Sequence, residues 1–429
     1  MLKIGCIADD FTGASDLANN LVRCGMTVVQ SIGVPGTEPV PEADVVVIAL
    51  KSRTLPVGEA VSQSLEALRW LQAQGAKQIY FKYCSTFDST AQGNIGPVTE
   101  ALMDALGCEF TISSPAFPDN HRTVFKGYLF VGDVLLNESG MQNHPLTPMT
   151  DANLVRVMQA QCQRRVGLID YKAVSRGEAA IRERMAQLQA EGVSIAIVDA
   201  VSNSDLTKLG AALRGMPLVT AGSGVAIGLP SNHGIVASSR AGELPQPQGF
   251  QAVVSGSCSL ATNRQVLHFI KAGGPAMAVD PLRIASGVDV TAEVLAWAQP
   301  LLRDGPVLIY STADSSAVKS AQQQLGVDDA GAMVERCIAA IARGLVERGV
   351  LQLVVAGGET SGACVQALGI TQMKIGRQID PGVPWCHARS SVGWGEGGGV
   401  ELHLTLKSGN FGTDDFFSKA FALLEAVAT

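Results

Sequence analysis

Short apolar, β-branched runs alternate with helix-patterned stretches through the first half of the chain. Residues 3–8, 26–32, 43–50 and 78–81 are bounded by turn formers, which predicts buried strands. Residues 57–74 carry Ala60, Leu65, Leu68 and Leu71 on one side and stop before Gly75, which predicts an amphipathic helix with a glycine C-cap. Further strands are expected at 110–113, 167–170, 194–200 and 217–221. This alternation predicts a mostly parallel sheet covered by helices. Between 230 and 249 the pattern lapses into Pro230, Gly242, Pro245, Pro247 and Gly249 with interspersed serines and glutamines, the composition of a linker. Alternation resumes at 251–255, 306–311, 351–356 and 400–406, with a long helix over 327–348. The expected fold is therefore α/β with two domains, 1–235 and 250–429, each a mostly parallel sheet flanked by helices.

Composition supports that reading. The 429 residues exceed one ordinary core, and 47% are hydrophobic against 17% charged, so a sizeable interior can be buried. A formal net charge of −7, without any basic run, argues against a nucleic-acid partner. An anionic substrate would need local cations, because the overall field repels it. The N-terminal apolar run stops at Asp9 and Asp10, short of a signal-peptide core, and no apolar stretch is long enough to span a bilayer. The nine cysteines are scattered, with no CxxC, which fits a reducing cytoplasm better than a disulfide framework or a zinc knuckle.

Three polar clusters follow predicted strands of the first half. Ala8-Asp9-Asp10-Phe11-Thr12-Gly13-Ala14-Ser15-Asp16 places two adjacent carboxylates where a strand gives way to a helix. Ligands collect at such strand ends, and a carboxylate there can accept a substrate proton or hold Mg²⁺. Helix capping by Asp10 or Thr12 explains one residue of this run but not all of it. In Lys51-Ser52-Arg53-Thr54 a carboxylate grip through Arg53 and an ordinary solvated loop are equal readings. Lys82-Tyr83-Cys84-Ser85-Thr86-Phe87-Asp88-Ser89-Thr90 suits a polyhydroxylated anion, the alternative being a Ser/Thr-rich turn.

Beyond the linker, Ser255-Gly256-Ser257-Cys258-Ser259, Ala356-Gly357-Gly358-Glu359-Thr360-Ser361-Gly362 and Lys407-Ser408-Gly409-Asn410-Phe411-Gly412 each follow a predicted strand. Glycines let backbone N–H groups approach phosphates closely, and three such loops in one domain favour a phosphate-bearing ligand. Walker A and protein-kinase signatures are absent. Gly222-Ser223-Gly224-Val225-Ala226-Ile227-Gly228 imitates a dinucleotide fingerprint with the wrong final spacing and is read as a strand-to-helix turn. His268 and His403 are expected to be packing or surface residues. Trp385 and Trp394 are read as core residues ahead of nucleotide-stacking ones.

Ile7-Ala8-Asp9-Asp10-Phe11-Thr12-Gly13-Ala14 is similar to the opening motif of the four-carbon acid sugar kinase family. Residues 255–259, 357–362 and 407–412, with Asp380-Pro381-Gly382-Val383-Pro384-Trp385, resemble its C-terminal motifs, and the match runs nearly end to end. Residues 82–90, Pro115-Ala116-Phe117-Pro118 and Asn137-Glu138-Ser139-Gly140-Met141 resemble the branch acting on 3-oxo-tetronates. The resemblance implies an N-terminal acid-sugar-binding domain and a C-terminal ATP-binding domain. It also implies transfer of the γ-phosphoryl to the C4 hydroxyl of a 3-dehydro-erythronate-type acid; the glycine loops, built for phosphates, lead to the expectation of ATP with Mg²⁺. By that resemblance Asp9, Arg53, Lys82, Tyr83, Cys84 and Ser85 bind the sugar acid, while Ser257, Gly357, Gly358, Glu359, Thr360 and Gly409 bind ATP. Asp9 and Asp10 are the catalytic candidates, as base or Mg²⁺ organiser, with the metal ligands themselves left open. One departure is His121-Arg122-Thr123 where the family carries Gly-Arg-Thr, which keeps Arg122 outside the assigned set. The expected partners are the sugar acid and ATP, and a homodimer is a candidate assembly. A threonate or erythronate kinase is the rival within the family. A non-catalytic sensor of sugar acid and nucleotide is the rival outside it, disfavoured because an anion sensor gains nothing from adjacent carboxylates.

Overall fold

The first apolar run forms strand β1 (Ile4–Ala8), buried along its whole length. Four of its five residues are hydrophobic, so both faces can be covered, as a parallel strand requires. The computed structural model describes residues 2–36, 42–143, 147–311, 327–393 and 398–425. It divides into two compact units, Met1–Gly242 and Glu243–Thr429. Both are α/β, with mostly parallel strands flanked by helices.

In the first unit β1 is joined by β2 (Val28–Ile32), β3 (Val45–Ala49), β4 (Gln78–Lys82) and β5 (Thr111–Ser114). A short antiparallel arm follows, β6 (Arg122–Phe125), β7 (Tyr128–Val131) and β8 (Val134–Leu135). The remaining strands are β9 (Val166–Ile169), β10 (Ile195–Val198) and β11 (Leu218–Ala221). The order across this part of the sheet is β2-β3-β1-β4-β11-β5-β10-β9, and every pair of neighbours is parallel. Strands β3, β1 and β4 thus lie side by side. The segments leaving their carboxyl ends, which carry the three polar clusters, emerge at one edge.

The helices match the predicted pattern in part. Val57–Ala73 forms as expected and buries Ala60, Leu68 and Leu71. Helix Phe11–Arg23 is buried over far more of its circumference than an amphipathic surface helix, and Asp16, Asn19 and Asn20 lie inside. Gly224–Gly228 forms a 3₁₀ turn after β11, where the sequence suggested the start of a helix, so the pseudo-fingerprint opens no helix N-terminus for a dinucleotide. The linker region carries only 3₁₀ turns, Pro230–His233 and Ser239–Gly242.

The arm was not predicted. Its β6–β7 hairpin turns on Lys126 and Gly127, at φ +53° and +75°, the backbone of a tight hairpin that lysine adopts only when held there. The holder is Asp199, fully buried. Its carboxylate accepts from the N–H groups of Lys126 (2.7 Å), Gly127 (2.8 Å) and Tyr171 (2.8 Å).

The second unit contains β12 (Phe250–Ser255), β13 (Ala276–Ala278), β14 (Val307–Tyr310), β15 (Val350–Ala356), β16 (Gln372–Asp380), β17 (Val383–Ser390) and β18 (Val400–Lys407). Their order is β13-β14-β12-β15-β18-β17-β16. The first five of these are parallel and the β18-β17-β16 edge is antiparallel. Asp380-Pro381-Gly382 turns β16 into β17, which the sequence reading left without an element. Trp385 on β17 packs in a core with Phe416, Phe417 and Phe421 and donates its indole N–H to Ala420 O at 2.8 Å. Trp394 lies outside the described residues. His403 is buried, bonded to Pro245 O at 3.0 Å, with His387 beside it. No described helix is long and apolar enough to cross a membrane.

Candidate functional site

In the first unit, Asp9 follows β1, Arg53 follows β3 and Lys82 ends β4. Adjacency of those strands brings the three together. Arg53 N–H donates to Asp9 O at 3.2 Å. The Asn94 amide donates to the carbonyls of Ser52 (2.9 Å), Arg53 (3.1 Å) and Leu55 (2.9 Å), fixing the loop that presents Arg53. The guanidinium meets Asp9 as a fork, Nε to Oδ2 and Nη2 to Oδ1, both at 2.8 Å. Its Nη2 also lies 3.1 Å from Asp10 Oδ1, and its Nη1 lies 3.8 Å from Asp88 Oδ2. Arg53 is therefore the hub of three carboxylates, and a substrate carboxylate would have to share it. The Asp10 and Asp9 charges outweigh burial and keep Arg53 protonated.

Asp10 caps helix Phe11–Arg23 by accepting from Gly13 N–H at 2.8 Å. The capping role thus belongs to Asp10 and leaves Asp9 for Arg53. Burial raises the Asp10 carboxyl, but Arg53, Lys82 and the Gly13 N–H together hold it below its usual range. Lys82 is buried; its carbonyl accepts from Asp9 N–H at 3.1 Å, while its ammonium makes no hydrogen bond among the described residues. Gly13 makes room for it: a Cβ there would lie 2.6 Å from Lys82 Nζ and 2.2 Å from Asp10 Oδ1.

The rest of the Lys82 segment divides. Tyr83 is turned wholly into the core, its hydroxyl 2.6 Å from Ser113 Oγ and its ring against Phe81 and Phe87, so it supports the segment from beneath. Cys84 Sγ lies 2.9 Å from Thr86 Oγ1, which donates to Asp88 at 2.6 Å. Burial and then Asp88 push the Cys84 thiol up to about 11, so it stays protonated near neutrality. Ser85 is buried. A small cavity here is lined by Asp9, Ser52, Arg53, Asp88 and Asn94 over an apolar floor of Phe81, Ile95 and Val98.

Two groups were outside the assigned set. Burial lowers the pKa of the Arg122 guanidinium, on β6, and the nearby Asp16 and Asp88 carboxylates offset this only in part. Its buried Nε has no partner, and no carboxylate pairs with it among the described residues. Asp16 accepts from Ser223 Oγ through Oδ2 while its buried Oδ1 has no partner. Burial pushes Asp16 up to about 6, against the pull of Lys82 and the Ser223 hydroxyl. The Gly-Arg-Thr comparison already drew attention to Arg122. Asp16 gave no signal beyond ending the Asp-rich opening run.

In the second unit β12, β15 and β18 are neighbours, so their three following loops share one edge. Ser259 caps helix Leu260–Lys271 by accepting from Thr262 N–H at 3.1 Å. Ser257 Oγ accepts from Ser259 N–H at 3.3 Å. Gly357 and Gly358 open helix Gly358–Ala367, with Glu359 in its first turn and Thr360 buried behind Gly357. A Cβ on Gly409 would lie 2.5 Å from Ser257 Oγ, so glycine lets the third loop close on the first without displacing that hydroxyl. The six residues expected at ATP thus fall on adjacent loops. Among the described residues no group of three or more His, Cys, Asp or Glu forms a metal cage.

A strand-end cluster of carboxylates and cations in one unit and a glycine-loop edge in the other fit a small-molecule phosphotransferase, and the chain belongs to the four-carbon acid sugar kinase family. Residues 4–229 match the family model described as sugar-binding N-terminal domain, and residues 252–417 match the nucleotide-binding C-terminal domain. The chain is similar to the 3-oxo-tetronate kinase of Burkholderia multivorans, 56% identical over 99% of this chain and 98% of that one. It is likewise 55% identical to the 3-oxo-tetronate kinase of Pseudomonas fluorescens, over 98% and 97%. Among solved structures, a Salmonella typhimurium LT2 protein described as a candidate tRNA synthase superposes with TM-score 0.87 at 46% identity, over 98% of this chain and 99% of that one. A Haemophilus influenzae protein superposes with TM-score 0.79 at 45% identity, over 98% and 100%.

Proposed function

We propose that the chain transfers the γ-phosphoryl of ATP to the C4 hydroxyl of a 3-oxo-tetronate, giving the 4-phosphate. The near-full-length likeness to 3-oxo-tetronate kinases is the observation that carries this reading. The residues fit it. The first unit supplies the sugar-acid site and the second the nucleotide site. Lys82 and Arg122 have donors free for the substrate carboxylate and the polarised 3-oxo group, while Arg53 holds Asp9 and Asp10 in place. Phosphoryl transfer needs positioning and charge neutralisation more than covalent chemistry. Mg²⁺ would come with the phosphates and neutralise charge on the transferring group; Asp9 is the carboxylate placed to orient the hydroxyl or meet that ion.

The test is ADP release on a panel of four-carbon acids, with 3-oxo-tetronates, threonate and erythronate each supplied with ATP and Mg²⁺. Turnover confined to the 3-oxo acids is expected. Turnover with threonate or erythronate alone would move the protein to the rival branch. Binding of a 3-oxo acid with no ADP release from any member would make it a sensor.

A further inference from the structure

Lys407 ends β18, and its side chain is fully buried. The ammonium reaches Thr262 Oγ1 (3.0 Å) and the carbonyls of Ser408 (3.0 Å), Gly409 (3.1 Å) and Phe411 (3.2 Å). No carboxylate lies within ion-pair distance of it among the described residues. A buried cation without a counter-charge is costly, and proteins normally pair it.

The same loop is gripped by other interior donors. Gln265 Nε2 donates to the carbonyls of Phe411 (3.0 Å), Gly412 (3.0 Å) and Thr413 (3.1 Å). Ser259 and Thr262 hydroxyls donate to Gly409 O. At the far end Asp380 accepts from Thr413 N–H at 2.9 Å. In a trans peptide the C=O and the next N–H point in opposite directions, and the described chain has no cis bond. Turning the carbonyls of Ser408, Gly409 and Phe411 inward therefore turns the N–H groups of Gly409, Asn410 and Gly412 outward. None of these three has a partner among the described residues. Successive outward N–H groups make an anion-binding concavity.

We propose that Lys407 is a positioning residue for nucleotide phosphates: it holds the loop carbonyls inward, presents three N–H groups to the phosphates, and receives from them its missing counter-charge. The proposal rests on the nucleotide-site reading given above. Burial, which pushes the Lys407 ammonium down to about 7 in the free protein, agrees with a charge awaiting its partner.

Lys407→Met keeps the length of the side chain and removes the charge. Calorimetric Kd values are measured for ATP, AMP and adenosine. ATP binding should weaken about tenfold or more, AMP less, and adenosine by no more than about twofold, because the lost interaction is with phosphate charge. Unchanged ATP affinity, or an equal loss for all three ligands, overturns the proposal, since a merely structural lysine would not discriminate by phosphate number. If the variant does not fold, hydrogen exchange on the parent protein decides: ATP should slow exchange at Gly409, Asn410 and Gly412, and no slowing overturns it. Gly358→Asp separates the two levels. If it leaves ATP affinity intact, the nucleotide-site reading fails. If it abolishes ATP binding while Lys407→Met binds normally, only the role of Lys407 fails.

Discussion

Replacing Gly13 by alanine separates the needs of the fold from the needs of the site. The added methyl would stand 2.2 Å from Asp10 Oδ1 and 2.6 Å from Lys82 Nζ. Non-bonded heavy atoms prefer about 3.5 Å, so each group must retreat by roughly 1 Å. Both are ends of side chains, and the backbone need not move. A weakened Asp10 cap costs about 0.5–2 kcal/mol. Alanine in place of glycine within helix Phe11–Arg23 returns about 1 kcal/mol. The two nearly cancel, and the melting temperature should shift by no more than about 4 °C. Catalysis has no such offset: a displacement of about 1 Å in a positioned group costs on the order of 10²-fold in rate. The assay is coupled ADP release with a 3-oxo-tetronate, alongside thermal unfolding of the same preparation. The expected result is a fall of about 10²-fold in kcat/KM at nearly unchanged Tm. Parent-like kinetics in the folded variant would refute the claim that Asp10 and Lys82 need the space that Gly13 leaves.

Asp9→Asn should lower kcat by about 10²–10⁴-fold with a smaller change in sugar-acid affinity; a near-normal kcat would remove Asp9 from the chemistry, because Asp10 and not Asp9 is the helix cap. Asp16 carries a pH signature. Its folded pKa, about 6, lies above the unfolded value of about 3.9, so the folded state binds the extra proton between those values and stability falls as pH rises from about 4 to 6. Asp16→Asn should remove that slope and stabilise the protein by about 3 kcal/mol at pH 7, with no gain near pH 4. A urea midpoint at pH 7 below that of the parent would contradict this.

The parts of the site legible in the sequence are those that hang directly from strands. Asp9, Arg53 and Lys82 each close an apolar run, and the order β3-β1-β4 makes neighbours of segments far apart in the chain. What the sequence concealed depends on tertiary placement. Asp16, Asn19 and Asn20 look like the wet face of an amphipathic helix, and only packing on all sides shows that they are interior. The fork between Arg53 and Asp9 is a matter of a few ångströms, so the sequence could pair Arg53 with a ligand as readily as with its own neighbour. Tyr83 sits in the right segment but points the wrong way, since successive residues leaving a strand alternate in direction. The arm that carries Arg122 has strands of only two to four residues, its one apolar run, Tyr128–Val131, is too short to stand out, and its Lys126 turn lacks the usual Asn-Gly or Asp-Gly signal.

The fastening of that arm bears on how such an enzyme could be redesigned. Asp9, Arg53 and Lys82 are welded to the sheet, and altering any of them disturbs the others. The arm is tied down by the Asp199 carboxylate and by isolated bridges from Val124 to Ala200 and from Tyr128 to Asn153. A replacement arm of different sequence would keep a two-residue turn offering two N–H groups to Asp199, the two bridges, and apolar residues at the buried positions 124 and 129. With Arg122 and the buried Val124 and Leu129 kept, residues 123–135 are therefore a segment in which a library could be built without touching the sheet-borne Asp9, Arg53 and Lys82.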